Sequence, residues 1–146
     1  MSKKNIMVVE DSGIVLLDIQ KSLEALDYSV VVTASTKEEA IRKAGEAHPD
    51  LVLMDIRLGE EMGGIEAADH IREHFDIPVV FLTGYADEDT FQRAKITDPF
   101  GYILKPFDPK GLRTTIEIAL HNHEMKSKLR ESETRLLEAQ DRKSVV

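Results

Sequence analysis

Short apolar segments recur along the chain, at residues 6–9, 30–32, 51–54, 79–82 and 102–104. None of them alternates polar with apolar positions, which is typical of strands that are buried on both faces of a parallel sheet. Between these segments, apolar residues recur at the spacing of about 3.6 that an α-helix requires. Strand and helix therefore alternate five times. This order predicts an α/β domain with helices on both faces of the sheet and a functional site at the carboxyl ends of the strands.

Local signals support these boundaries. Thr36 and Glu39 have the spacing of a capping box at the start of the second helix. Pro49 and Pro78 each lie shortly before a predicted strand, where a proline interrupts the preceding helix. Pro109 stands where the last helix should begin.

The last predicted helix has no breaker after Pro109. Residues with a 4,3 spacing continue through the C-terminal segment: Ile118, Met125, Leu129, Ser132, Leu136 and Ala139. We therefore divide the chain into a domain at residues 1–121 and a helical extension or linker at residues 122–146. We expect this extension to lead to an output or sensory domain of a longer protein, or to pair two copies of the chain as a homodimer.

Composition narrows the classes of function. The chain is 42% apolar and 32% charged, which is typical of a globular protein. It has no cysteine, so disulfides, thiolate metal sites and a cysteine nucleophile are excluded. No apolar run approaches the roughly 20 residues that span a bilayer, and a net charge of −8 does not suit nucleic acid. We expect a cytoplasmic protein without membrane or nucleic-acid partners.

Polar residues follow or end the predicted strands, namely Glu10, Asp11, Asp55, Thr83 and Lys105. Each alone has an ordinary explanation as a helix cap, a turn residue or a surface charge. Together they would meet at one edge of the sheet, where two carboxylates about 4 Å apart repel by about 4 kcal/mol. One lysine does not balance three carboxylates. A divalent cation with oxygen ligands does, and Mg²⁺ is the natural choice.

A carboxylate beside such a cation, with a lysine and a hydroxyl close to it, is a suitable acceptor for phosphoryl transfer. Four motifs carry this arrangement: VVEDS, LVLMDIRL, VVFLTGY and GYILKPF. In order and spacing they resemble the receiver domain of two-component response regulators, over about residues 4–121. The resemblance implies a flavodoxin-like, doubly wound sheet with strand order 2-1-3-4-5, five helices and an extended last helix.

The same resemblance implies a role for each matching residue. Asp55 is the expected phospho-acceptor. Asp11 and Asp55 would bind Mg²⁺ directly, Glu10 through water, and Arg57 through its backbone carbonyl. In this family the phosphoryl group comes from a sensor histidine kinase. The domain is then not an enzyme toward other substrates, because it promotes only its own phosphorylation and dephosphorylation.

Further residues would complete the phosphorelay switch. Lys105 would pair with the phosphoryl oxygens, and its bond to Pro106 is expected to be cis. Thr83 would move toward the phosphoryl group, and Tyr102 would turn inward after it. These two movements would change the surface formed by the fourth helix, fifth strand and fifth helix. Arg57 and the loop after it depart from the family pattern, which leaves the lifetime of the phosphorylated state undefined.

Other readings stay open. The domain could be a docking module that takes no phosphate. It could be a haloacid-dehalogenase-like phosphatase, although that family has a second aspartate where Arg57 stands. His70 and His74 lie in an H-x-x-E-H pattern that occurs in some zinc peptidases, but no third ligand is evident. Gly63 and Gly64 are interpreted as part of a loop, since no P-loop pattern occurs.

Overall fold

The structure is a computed structural model that describes residues 3–58, 63–83, 101–105 and 107–144, without the side chains of Thr83, Tyr102, Leu104 and residues 131–144. The strands of the described chain are β1 (Asn5–Val9), β2 (Ser29–Ala34), β3 (Leu51–Asp55), β4 (Val79–Thr83) and β5 (Gly101–Leu104). Its helices are α1 (Gly13–Ala25), α2 (Lys37–Ala47), α3 (Gly63–Phe75) and the C-terminal helix (Pro109–Ser144). The helix predicted around Phe91 and Ala94 lies outside the described residues.

All five strands form one parallel sheet in the order β2-β1-β3-β4-β5. The predicted strand order is therefore confirmed. Because every pair of strands is parallel, all carboxyl ends lie at the same edge, and that edge contains the candidate functional residues.

The sheet separates two apolar cores. On one face, alternate residues of β1 such as Met7 and Val9 pack with α2 and α3. On the other face, Ile6 and Val8 pack with α1 and the C-terminal helix. Fully burying one such side chain contributes about 1.5–3 kcal/mol, so the residues of β1 hold both layers in place.

Burial on both faces was predicted for every strand, and this is wrong for β2. Its residues are mostly half-buried, and Val31 is 46% exposed. The reason is position, because β2 is the outermost strand and pairs only with β1. Its three consecutive valines have the apolar pattern of a central strand, although β2 lies at the edge of the sheet.

Polar side chains fix the starts of the first two helices. Ser12 caps α1, since its hydroxyl accepts a hydrogen bond from the Val15 amide at 3.5 Å. Thr36 caps α2 by accepting from the Glu39 amide at 3.1 Å, as its spacing predicted. The cap of α1 is therefore Ser12, which leaves the neighbouring Asp11 available for another role.

Gly63 and Gly64 form the start of α3, so placing them in a loop was wrong. The Gly64 amide donates to the Ile56 carbonyl oxygen at 3.2 Å. A methyl group on Gly64 would meet the carbonyl oxygen of Asp55. The missing side chain thus lets α3 approach the end of β3 closely.

The C-terminal helix begins at Pro109 as predicted, and the Asp108 carboxylate accepts from the Gly111 amide at 3.2 Å. It continues without a break to Ser144. The division proposed between residues 121 and 122 falls inside this helix and stays a prediction. Within the described part of the chain, no helix combines the length and apolarity needed to cross a bilayer.

Candidate functional site

Polar residues cluster at the carboxyl edge of the sheet. Glu10 and Asp11 directly follow β1, Asp55 is the last residue of β3, and Lys105 directly follows β5. The strand order places β1 and β3 side by side, so their ends bring the first three residues together. Thr83, the last residue of β4, lies between the ends of β3 and β5.

Three carboxylates share this edge. One carboxylate oxygen each from Glu10, Asp11 and Asp55 lies within 4.8 Å of the other two. Glu10 is 3% exposed and Asp55 8% exposed, whereas Asp11 is open to solvent. In the described ranges, no other group of three acidic, histidine or cysteine side chains converges in this way. Buried carboxylates without compensating charge are costly, so this cluster needs a cation.

Lys105 supplies part of the positive charge. Its Nζ donates to Glu10 Oε2 at 3.2 Å and lies 3.8 Å from Asp55 Oδ2. The ammonium therefore stands between the two buried carboxylates, with its side chain 28% exposed. Taken as fully ionised, three carboxylates and one ammonium leave a net charge of −2, which equals the charge of one divalent cation.

The pKa of Asp55 shows that Lys105 alone is insufficient. Burial and a side-chain hydrogen bond with Glu10 raise this pKa from 3.8 to about 7, against the lowering effect of Lys105. The Arg57 amide, which donates to Asp55 Oδ1 at 3.1 Å, also lowers it. Without a metal, the environment therefore favours the protonated form of Asp55, which offsets part of the excess negative charge.

The residues present fit Mg²⁺. The donor set is made of carboxylate oxygens, which are the ligands that this hard cation prefers, and nitrogen or sulfur ligands that would favour zinc are absent from the cluster. The Arg57 amide contact brings the Arg57 backbone next to Asp55. The predicted use of the Arg57 carbonyl as a ligand stays a prediction.

Comparison with known proteins identifies the family to which this site belongs. The family model of the response regulator receiver domain matches residues 6–117. The chain belongs to the response regulator receiver family. This membership leaves the haloacid-dehalogenase-like phosphatase without support.

Two curated relatives have similar sequences. The phyllosphere-induced regulator PhyR of Methylorubrum extorquens is 32% identical over 116 residues, covering 79% of this chain and 43% of PhyR. The transcriptional regulatory protein PdtaR of Mycobacterium tuberculosis is 31% identical over 117 residues, covering 80% of this chain and 57% of PdtaR. The chain thus spans about half the length of these relatives.

A solved structure has the same fold. The signal receiver domain of a modulated diguanylate cyclase from Desulfovibrio desulfuricans G20 superposes with a TM-score of 0.80 at 34% identity. The match covers 86% of this chain and 99% of that domain. The flavodoxin-like receiver fold is therefore confirmed.

Some residues predicted for this receiver domain are placed only by their backbone. Thr83 ends β4, and its strand partner in β5 is Leu104, two residues after Tyr102. Pro106 and the Lys105–Pro106 bond lie outside the described residues. The predicted roles of Thr83, Tyr102 and Pro106 remain predictions.

Two features of the receiver domain were missed from the sequence. Gly64 allows α3 to pack against the end of β3, and the only signal for it was the glycine pair after Asp55. Asp76 contacts two side chains of the C-terminal helix, and no sequence motif indicates that contact.

The H-x-x-E-H pattern does not form a metal site in the described part of the receiver domain. The rings of His70 and His74 stack at 4.0 Å on α3, and His74 is exposed. No third ligand group joins them among the described residues. The His74 Nδ1 instead lies 3.1 Å from the His70 carbonyl oxygen within the same helix.

Proposed function

We propose that this receiver domain accepts a phosphoryl group on Asp55 from a sensor histidine kinase, in a reaction that requires Mg²⁺. The observation that carries the proposal is the position of Asp55, a buried carboxylate with the Glu10 carboxylate on one side and the Lys105 ammonium on another. The domain would act on no other substrate, since its chemistry is its own phosphorylation and dephosphorylation.

Asp55 suits the acceptor role better than its two neighbours. Glu10 is held by Lys105 at 3.2 Å and is almost fully buried. Asp11 is exposed, so water competes for its carboxylate. The Asp55 carboxylate is oriented by the Arg57 amide while it still reaches the carboxyl edge of the sheet, where a phosphodonor approaches.

The proposed step balances as a simple displacement. One carboxylate oxygen of Asp55 attacks the phosphorus of a phosphohistidine, a P–O bond forms, and the P–N bond breaks. The electron pair of that bond stays on the imidazole nitrogen of the kinase, and the product on Asp55 is an acyl phosphate. Bound Mg²⁺ would neutralise charge on the phosphoryl oxygens. Lys105 is placed to stabilise the same oxygens through its ammonium group.

The response to phosphorylation would pass through β4 and β5. Thr83 ends the strand next to β3, and Tyr102 lies one strand further on. In the proposed switch, Thr83 moves toward the phosphoryl group and Tyr102 turns inward. The surface near β5 and the C-terminal helix then changes its affinity for a partner. The phosphoryl group can shift the equilibrium between the two conformations only by the difference between its interaction free energies with them.

The downstream partner is proposed from the relatives. PhyR and PdtaR carry the names of regulators, and the superposed receiver domain belongs to a diguanylate cyclase. We propose that the C-terminal helix connects this receiver domain to an output or sensory domain.

The test is phosphorylation by a small-molecule phosphodonor, followed by the intact mass of the protein. We expect one phosphoryl group per chain with Mg²⁺ and none with a chelator. Asp55→Asn should abolish the gain in mass, whereas Asp18→Asn, an exposed change on α1, should keep it. No gain in mass for the folded wild-type chain would favour the docking module, and a gain in Asp55→Asn would refute Asp55 as the acceptor.

A further inference from the structure

A cavity of about 740 Å³ lies at the amino edge of the sheet, opposite the edge that holds Asp55. One side of it includes the residues that directly precede the first four strands, namely Lys4, Tyr28, Asp50 and Pro78. The facing wall is the C-terminal helix between Glu117 and Ser127. The volume is within the range of small-molecule sites, and the length of β3, about 16 Å, separates the cavity from the acceptor.

Fixed side chains keep this cavity open. His48 and Asp76 both line it with a left-handed backbone, at φ values of 47° and 55°. Glycine adopts this conformation with less strain, so the contacts of each side chain must offset that strain. The His48 ring packs edge-on against Phe75, with centroids 6.2 Å apart, and Arg130 ties the C-terminal helix to Asp76 at 2.9 Å. The cavity is therefore preformed.

The lining combines apolar surface with an excess of negative charge. Phe75, Ile77 and Leu120 supply apolar side chains. Of the described residues that line the cavity, four are carboxylates and one, Lys4, is an ammonium. Arg130 offsets a second carboxylate from outside the lining, so two negative charges remain when the imidazoles are counted as neutral. The carboxylates are Asp50, Asp76, Glu117 and Glu124.

Three of these carboxylates are available to a ligand. Burial and then the negative charge of Glu117 raise the pKa of the Tyr28 phenol, against the lowering effect of Arg113, so Glu117 acts inside the cavity. Asp50 accepts from the Asn5 amide at 2.7 Å, which orients its carboxylate without neutralising it. Glu124 lies 3.3 Å from Lys128, but both side chains are well exposed and such a pair contributes little.

The spacing of the helix carboxylates indicates the shape of the ligand. Glu117 and Glu124 are seven residues apart on one face of the helix, so their Cα atoms are separated by about 10 Å. Leu120 lies between them and lines the same cavity. One metal ion cannot bridge carboxylates at this separation, because its ligand oxygens lie within about 2–3 Å of it. Two ammonium groups joined by a methylene chain match the order of carboxylate, apolar residue and carboxylate.

We infer that this cavity binds a linear organic diamine, with its ammonium groups at Glu117 and Glu124 and its methylene chain against Leu120, Ile77 and Phe75. Such a ligand would hold the C-terminal helix against the amino edge of the sheet. The site is separate from Asp55 and does not depend on phosphorylation, so either proposal can fail without the other.

The first test is isothermal titration calorimetry of the full chain in excess Mg²⁺, which competes for the acidic cluster at the other edge. We expect one diaminooctane per chain. Diaminobutane, which is too short, and octylamine, which has one charge, should bind at least about tenfold more weakly. A wild-type chain that binds no diaminooctane, or that binds it no more tightly than either other amine, would overturn the inference.

Paired variants separate this site from diffuse surface charge. The double change Glu117→Gln with Glu124→Gln should raise the dissociation constant of diaminooctane at least about tenfold. The matched control is Glu38→Gln with Asp18→Asn, two exposed changes on α2 and α1 that remove the same charge. It should leave the dissociation constant within about twofold of wild type. An equal loss in both double variants would refute the site.

The second test locates the ligand by the amide chemical shifts of the chain during the same titration. The largest changes should fall at the amino edge and on the helix wall, at Asp50, Ile77 and Leu120. Changes centred on Glu10 and Asp55 would show that the diamine binds the acidic cluster instead and would overturn the inference.

Discussion

Replacing Asp55 by asparagine should stabilise the metal-free domain at neutral pH, although it removes the proposed acceptor. Burial and the hydrogen bond with Glu10 raise the pKa of Asp55 from 3.8 to about 7. The native state therefore binds this proton more tightly than the unfolded chain does. Stability from Asp55 is present at low pH and is lost as the pH rises from about 4 through about 7.

The magnitude follows from the same pKa. A rise from 3.8 to about 7 corresponds to a cost of about 4 kcal/mol once Asp55 is ionised, as an upper limit. This figure already includes the attraction to Lys105 at 3.8 Å, and solvent at the open edge of the site reduces it. We expect a net gain of about 1–3 kcal/mol, which for a domain of this size raises the Tm by about 2–10 °C.

The assay is thermal unfolding with a chelator between about pH 5 and pH 8. The advantage of Asp55→Asn should be largest at pH 8, fall to less than half by pH 5, and vanish only near pH 4, where the unfolded chain also binds the proton. Mg²⁺ should then stabilise the wild type, by about 2.7 kcal/mol at 100 times its dissociation constant, and affect the variant much less. Asp18→Asn on the exposed side of α1 should stay within about 0.5 kcal/mol of wild type. A lower Tm for Asp55→Asn in chelator at pH 8 would refute the charge argument.

Three further changes test the site and the attachment of the C-terminal helix. Lys105→Met leaves the buried carboxylates without their ammonium partner, so urea unfolding in chelator should show a loss of about 1–3 kcal/mol that Mg²⁺ partly restores; no loss would contradict this. Burial raises the pKa of Asp76, but the guanidinium and imidazole that contact it lower the pKa further, below its usual value. The stabilisation by Asp76 is therefore present above about pH 4 and lost below it. Asp76→Asn should lower the free energy of unfolding by about 0.5–1 kcal/mol and speed amide exchange in the adjacent part of the C-terminal helix. Unchanged exchange would rule out the anchoring role of Asp76. Gly64→Ala should lower stability by about 1–3 kcal/mol and weaken Mg²⁺ binding, since the added methyl group meets the Asp55 carbonyl oxygen. The control is Gly13→Ala, whose methyl group has no atom within 4 Å and which should be neutral or stabilising in thermal unfolding.

The architecture could be predicted from the sequence because the strands and helices each have a recognisable local pattern of apolar residues. The buried strands are short apolar runs, and their predicted bounds differ from the observed ones by at most two residues, as for residues 30–32 against Ser29–Ala34. The exception was the burial of β2, whose valines do not reveal that the strand is at the edge. Edge position depends on strand order, which a local pattern does not contain.

The site was predictable for a related reason. Parallel strands end at one edge, so Glu10, Asp11, Asp55 and Lys105 had to meet there once the strands were assigned. Contacts that depend on how helices pack could not be predicted. The Asp76 carboxylate meets Arg130 across 54 positions of sequence, and Gly64 is essential only because α3 begins directly against the end of β3.

The measurement that tests the central claim most directly is the location of the phosphoryl group. After reaction with a phosphodonor and Mg²⁺, reduction with borohydride marks the acyl phosphate, and peptide mass analysis then locates it. We predict that the mark lies on Asp55 alone and that Asp11→Asn and Lys105→Met reduce its yield. A mark on Glu10 or on any other residue, or full yield in the presence of a chelator, would contradict the account.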